Sequence, residues 1–510
     1  MTDPTFGVIV QRTSSDTVPV ITADLSVIGL VGPAEDADAS VYPLDTPVRM
    51  FSNDVAMTAA LGNDGFLRDA IRGINAQLAV AQRAAIVVVV RTARGTNADA
   101  AIANQLTIAK ILGDSGDRTG IHALLLAPEI CNVTPRIILT PGFTGILANT
   151  VDKLTPTTLG KGYAPLTRYE LTFSGGGDNA VQGHGYAVSD EAGNIGLNNL
   201  FVEDAGAWYS TPPAVAVGGA APTGDNAQAL VVTASIDQLA NPICAGLPAV
   251  LNQLLAHAIV ESSGSSVTQT QAWRETLNSE RLIPVNGGVK VQDTETGAIV
   301  VRPFAPRVAG IGVRRDYEKG APFHSWANQP VYDIVGPAQG LSFSIADGAN
   351  EGQVLLASNV GVIAKGEVGN DFAIADGGFI FIGTDNTSDD PDWNFYHVTR
   401  GRDFLNLAGV RMVRTFLGRR NIDAQTVQSL VNSLRLMLRD FKSDGHILGY
   451  EVTFSGQDNS KQAILLGRLK LRFRAEEPPV LRRVTLASGR MHEAIDALVA
   501  DLERTLSLAA

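Results

Sequence analysis

Three groups of residues have types and spacings that suggest chemistry. The glycine run Gly175-Gly176-Gly177 followed by Asp178 has the flexibility of a phosphate-cradling loop, but no Gly-Lys-Ser/Thr follows it and no strand-to-helix transition frames it. Asp389, Asp390 and Asp392 form an acidic knot. A calcium loop needs oxygen ligands at alternating positions and a central glycine, which this stretch lacks, so a solvated turn explains it better. His257, Ser262, Ser263 and Asp293 contain the residue types of a hydrolase. No Gly-x-Ser-x-Gly elbow accompanies them. Seven histidines are scattered without a His-Glu-x-x-His pair, and two cysteines, Cys131 and Cys244, are too few for a four-ligand zinc site. The expectation is no catalytic residue, no bound metal and no cofactor.

The elements that would have to position any such group divide the chain into unlike regions. The most organised runs from Trp393 to Arg490. Val427, Leu430, Val431, Leu434, Met437, Leu438 and Phe441 follow the spacing of a helix with one buried face, and Asp444-Gly445 stops it. His446 to Phe454 and Ile464 to Ala475 then read as strands. In the second, Leu469, Leu471 and Phe473 face one way and Arg468, Lys470, Arg472 and Arg474 the other. That predicts a ribbon with an oily face for a core and a cationic face for water or an acidic partner.

Upstream, residues 1 to 20 are polar and extended, with strand-like Val8-Ile9-Val10, and suggest an arm. An apolar β segment over Val20 to Leu30 and a short one over Val41 to Pro47 follow. Ser52-Asn53-Asp54 offers helix caps, Phe66 to Leu78 has helical period, and Ala84 to Arg91 reads as a strand buried on both sides. Pro135 to Thr140 adds another strand, so the start is α/β. From about Ile146 to Thr233, glycines and prolines punctuate short β runs, which suggests an inserted all-β domain. Helical period resumes through Leu247, Leu251, Leu254, Leu255, Ala258 and Ile259, and again around Trp273 and Leu277. Strands follow over Gly288 to Val301, then a loop-rich stretch over Pro303 to Asn386. After Pro478-Pro479, Val480 to Leu486 reads as a strand, and Met491 to Leu506 as an amphipathic helix.

The totals limit the function classes. At 510 residues, 45% hydrophobic and 18% charged, the chain is globular and too long for one core. The longest purely apolar run, Ala84 to Val90, is far short of a membrane span. With no secretion-signal pattern at the start, the expectation is a soluble protein made in a cytoplasm, with no direct membrane insertion. The net charge of -12 argues against nucleic acid. The cluster Arg400, Arg402, Arg411, Arg414, Arg419 and Arg420 is read as a solvated face or a protein interface.

In chain order, Ser26-Val27-Ile28-Gly29-Leu30-Val31-Gly32-Pro33, Arg136 to Phe143, Val308-Ala309-Gly310 through Arg315-Asp316 to Trp326-Ala327-Asn328, and Trp393-Asn394-Phe395-Tyr396-His397-Val398 with Arg400-Gly401-Arg402 resemble contractile tail sheath proteins of myophages. The resemblance implies an α+β, multidomain subunit. It would have an N-terminal linking arm (1–20), an α/β core in two parts (21–145 and 241–385), an outer β insert (146–240), an inner helix-plus-sheet domain (386–477), and a C-terminal arm and helix (478–510). It implies hexameric rings stacked around a tail tube protein, with baseplate and tail terminator proteins as further partners, in a virion tail assembled in the host cytoplasm. Strands exchanged between subunits would involve Val8, Ile9, Val10, Val480, Val484 and Leu486. Arg468, Lys470, Arg472, Arg474, Arg419 and Arg420 would face the tube or another acidic interface. Cys131 and Cys244, which flank the insert, would be candidates for a disulfide that locks the extended state outside the cell. The related alternative is the sheath of a phage-like bacteriocin or another contractile injection system. A different class, a β-rich carbohydrate-binding or hydrolytic surface protein, would explain the insert but neither the arm nor the ribbon.

Overall fold

A computed structural model describes residues 25–507 apart from 294 and 295. Two compact units divide it, one running to Pro478 and one from Pro479 onward. The first is built on a six-stranded sheet. Its strands are β1 (Ile28–Pro33), β2 (Pro47–Phe51), β3 (Ile86–Thr92) and β4 (Ile137–Leu139) from the start of the chain. The chain then makes a separate six-stranded antiparallel sheet from β5 (Thr150–Thr158), β6 (Arg168–Ser174), β7 (His184–Val188), β8 (Leu200–Asp204), β9 (Ala214–Val217) and β10 (Val231–Asp237), in the order β5-β10-β9-β6-β7-β8. It returns to the first sheet as β11 (His257–Glu261) and β12 (Leu282–Val285), giving β12-β11-β4-β1-β3-β2. All pairings there are parallel except β2 with β3.

A parallel sheet flanked by helices is buried on both faces, and its strands carry apolar residues without polar alternation. In β3, Val87 and Val89 join one core while Val88 and Val90 join the other. Ile28 and Leu30 in β1 and Ile137 and Leu139 in β4 point with the first set, and Val31 and Ile138 with the second. The second core is covered by α3 (Ala100–Leu112) and α5 (Pro242–Leu254), and the first by α2 (Leu67–Leu78) and α7 (Ala305–Lys319), with short α1 (Val55–Ala59), capped by Asp54, and α4 (Ala127–Ile130) in the connections. The helical period expected to run through Ala258 and Ile259 stops earlier. Leu255 takes a left-handed conformation (φ 47°) and ends α5, and both residues lie in β11.

The expected loop over Pro303 to Asn386 is in fact opened by α7, a 15-residue helix. Its first backbone donors, the N–H groups of Phe304 and Ala305, bond at 2.8 and 3.0 Å to the buried carboxylate of Glu261, which satisfies an otherwise orphaned helix end. Burial pushes the Glu261 carboxyl up while these N–H groups pull it back. Close packing sets the composition of α7. A Cβ at Gly310 would lie 2.9 Å from the Ile74 carbonyl oxygen of α2, and one at Gly312 would lie 2.7 Å from the ring of Trp326. Beyond α6 (Val267–Glu275), two small sheets complete this part: β13 (Gly288–Gln292) with β14 (Ile299–Pro303) and β16 (Gly336–Pro337), and β15 (Gln329–Pro330) with β17 (Val362–Lys365) and β18 (Phe379–Ile382), next to α8 (Glu351–Ala357).

Trp326 is fully buried, between Tyr396 and the Arg400 guanidinium, so its ring has nowhere to move. Gly312→Val is therefore expected to lower stability by about 2 kcal/mol or more, through overpacking. Thermal unfolding checks it, and an unchanged melting temperature would refute the close-packing account.

Candidate assembly interface

The region that was most legible in the sequence folds as two helices and a hairpin. The helices are α9 (Tyr396–Arg414) and α10 (Ala424–Ser443). Asp423 caps α10 by accepting from the Thr426 N–H at 2.6 Å, and Leu430, Leu434, Met437, Leu438 and Phe441 are buried along one face. The chain then forms β19 (Gly449–Thr453), a short α11 (Lys461–Leu465) and β20 (Arg472–Glu476), and β19 and β20 pair antiparallel from Gly449 with Glu476 to Thr453 with Arg472. The expected strand from Ile464 is therefore shortened. Ser460 caps a helical turn there, Gly467 turns left-handed (φ 71°), and regular pairing begins at Arg472.

The two faces are as expected. Leu469, Leu471, Phe473 and Ala475 pack on the core of α9 and α10, while Arg468, Lys470, Arg472 and Arg474 are exposed. Part of that charge is balanced inside the chain. Asp458 meets Lys470 at 3.3 Å and Arg472 at 2.6 Å, and Arg474 lies 3.8 Å from Glu451. Each strand has a single strand partner among the described residues, so neither outer edge of the hairpin is paired with a further strand. A two-stranded sheet of this length is marginal unless something covers or extends it.

The arginine cluster separates into two kinds. Arg414, Arg419 and Arg420 are exposed, whereas Arg400 is 1% exposed and bonds Asp316 of α7 in bidentate fashion at 3.1 and 2.6 Å. Its Nη2 also donates to the Leu25 carbonyl at 3.3 Å, and Ser26 Oγ donates to Asp316. Two residues on, Arg402 grips Glu477 at 2.9 and 2.8 Å and the Ala475 carbonyl at 2.6 Å. His397 donates from Nε2 to the Pro478 carbonyl at 3.2 Å. Asp403 takes Arg281 at 2.5 Å. Between the two arginines a side chain is excluded, because a Cβ at Gly401 would sit 2.5 Å from Phe323. Hence His397, Arg400 and Arg402 hold both Leu25 and Pro478, the residues where the two terminal segments begin. Neither role was legible in the sequence, where these arginines look like Arg419 and Arg420.

The other sequence candidates do not converge on a chemical site. Gly175, Gly176 and Gly177 all have positive φ and form a turn with no helix behind it. His257 Nε2 meets Thr399 Oγ1 at 3.0 Å, whereas Ser262 Oγ bonds Asn286, so the imagined hydrolase set is split between two networks. No group of three metal-ligating side chains occurs among the described residues, and no helix among them is long and apolar enough to cross a membrane. Cys131 and Cys244 are free and buried, and desolvation pushes both thiols up. Val8, Ile9 and Val10 lie outside the described residues. Val480, Val484 and Leu486 lie in a segment, residues 479–491, that forms no regular strand, which corrects the expected strand. Val484 and Leu486 are 63% and 90% exposed. A strand needs a partner edge, and the described residues of the second unit supply none.

No model of a protein family matches the chain. The chain is 20% identical over 493 residues, 95% of each chain, to the tail sheath protein of Escherichia phage P2. It is 34% identical over 142 residues, 28% of this chain and 35% of the relative, to the major tail sheath protein of Serratia phage KSP20. Among solved structures, the contracted sheath of an extracellular contractile injection system aligns with TM-score 0.55 and 10% identity over 97% of this chain and 99% of that one. The contracted helical sheath of the anti-feeding prophage aligns with TM-score 0.55 and 13% identity over 96% and 100%. The fold is that of a contractile-sheath subunit. The chain is similar to phage tail sheath proteins over nearly its whole length.

The anchors carry a pH dependence. Burial takes His397 from the ordinary 6.5 to about 4 and holds His257 well below it. The neutral forms are the folded forms, so this stability is complete above about pH 6.5 and is lost as pH falls toward 4, by roughly 3 kcal/mol for His397. The melting temperature should fall between pH 7 and 4.5. His397→Gln, which keeps a donor for the Pro478 carbonyl, should flatten part of that slope; an identical slope would mean that His397 is not buried neutral.

Proposed function

We propose that the chain polymerises as stacked six-membered rings around a tail tube and contracts to drive that tube through a host envelope. The observation that carries the reading is the open β19–β20 hairpin, with the roots of both terminal segments pinned on α9 beside it. Strand addition to such an edge satisfies backbone donors and acceptors with little demand on sequence. The donors are residues 1–20, including Val8, Ile9 and Val10, and the segment with Val480, Val484 and Leu486, each from a different neighbour. About five added ladder bonds at roughly 1 kcal/mol each give several kcal/mol per link. Such links bend without breaking, so subunits rearrange while the polymer stays whole.

The proposed layout keeps the sequence-based boundaries. The core halves 21–145 and 241–385 form the body, 146–240 decorates the outside, and 386–477 faces the tube, with Arg419 and Arg420 toward the tube or another acidic interface. Tube, terminator and baseplate are the partners, the virion tail is the destination, and assembly takes place in the host cytoplasm. The protein is structural. The energy of contraction is that stored at assembly, released as the contracted state buries more surface between subunits.

Electron microscopy of the purified chain should show hollow cylinders. Removing residues 1–20 should leave the melting temperature of the subunit unchanged and abolish the cylinders. Normal cylinders from the truncated chain would overturn the exchanged-strand reading.

A further inference from the structure

The second unit ends in α12 (Glu493–Ser507), which has no buried residue. Its Ile495, Leu498, Val499 and Leu502 share one face and are about half exposed. Isolated helices of this length are marginal in water, so an amphipathic one needs a surface. Four carboxylates, Glu493, Asp496, Asp501 and Glu503, stand against one basic side chain, Arg504, for a net charge of -3 over the helix.

The hairpin of the first unit carries a patch of the opposite character. Leu465 and Leu466, at the end of α11, are 76% and 61% exposed, and α11 buries none of its residues. The chain continues at once into Arg468, Lys470, Arg472 and Arg474, which Asp458 and Glu451 only partly balance, leaving four cations against two carboxylates. An exposed apolar pair beside surplus positive charge is the complement of α12.

We propose that α12 of one copy of this chain docks on the outer face of the β19–β20 hairpin and α11 of a second copy, with its apolar stripe on Leu465 and Leu466 and its carboxylates toward the ribbon cations. The inference rests on the exchanged-strand reading. If residues 480–486 extend the hairpin of a neighbour, the six residues 487–492 reach at most about 20 Å, so α12 is delivered to that neighbour and to the surface beside the added strand. The helix then acts as a latch that holds the exchanged strand in place.

The test uses the full chain with Leu465→Cys and Leu498→Cys, both at exposed positions, oxidised after polymerisation and run on a non-reducing gel. A ladder of covalent multimers is expected, absent from either single variant. A monomer-mass band with its thiols consumed means the helix folds onto its own chain, and unreacted thiols leave the ribbon to another partner such as the tube; either result overturns the proposal. Two truncations separate this from the reading on which it rests. Removing 491–510 should preserve cylinders but raise the subunit concentration needed to form them about tenfold or more, the equivalent of about 1.4 kcal/mol, whereas removing 479–510 should abolish them. An unchanged threshold after removal of 491–510 rejects the latch alone, and normal assembly without 479–510 rejects strand exchange itself.

Discussion

The Arg400–Asp316 pair is the constraint on which the arrangement of the first unit depends. Both side chains are nearly inaccessible, and burying two charges costs several kcal/mol per ion unless their remaining hydrogen-bond capacity is met. Here it is met closely: two parallel guanidinium–carboxylate bonds, the Leu25 carbonyl, the Ser26 hydroxyl and the face of Trp326. Removing either partner strands the other, a loss of about 3–5 kcal/mol in comparable sites. A pair that is costly to bury and costlier to break contributes little net stability but permits few geometries. It fixes how α9 crosses α7, and thereby where the hairpin stands relative to the large parallel sheet.

The same N-terminal stretch of α9 settles where the terminal segments leave. Arg400 holds the chain at Leu25, and Arg402 with His397 holds it at Glu477 and Pro478. In the proposed sheath, force entering through either arm reaches buried, charge-assisted bonds before it reaches any strand of the core. Bidentate arginine contacts suit this position, since two parallel bonds resist rotation as well as extension. Gly401 lets the helix approach Phe323 closely enough for both arginines to reach their partners.

What could be read from the chain follows from how locally each feature is encoded. The Val87–Val90 run and the face of α10 were legible because burial on two sides, or on one, prints a simple period. α7 was not, because it is buried nearly all round and carries Arg307, Arg314, Gly310 and Gly312 among its core-facing positions, which erases amphipathic contrast. The strand expected from Ile464 kept its facing pattern through Leu469 and Leu471 although the backbone begins with a helical turn, so alternation overstated the strand length. β11 was misread because its alanine and isoleucine continue the helical count of α5 beyond a left-handed residue that leaves no mark in composition. The anchors were hidden for a different reason. Arg400 and Asp316 are 84 residues apart and Arg402 and Glu477 are 75 apart, and nothing local separates a buried arginine from an exposed one.

These features together locate where a contracting assembly can change. A transition needs parts with two arrangements of similar free energy. The interior of the first unit offers few: its parallel sheet is packed on both faces, its helices cross through glycines with no room to slide, and its buried charges have closely set partners. The degrees of freedom left are at the edges: a hairpin with no third strand, a segment over 479–491 without regular secondary structure, and exposed cations on flexible stems. In the proposed sheath the subunit then moves nearly as a rigid body, the exchanged strands bend at Leu25 and Pro478, and the free energy difference between extended and contracted states lies in the surfaces between subunits rather than in the fold of any one of them.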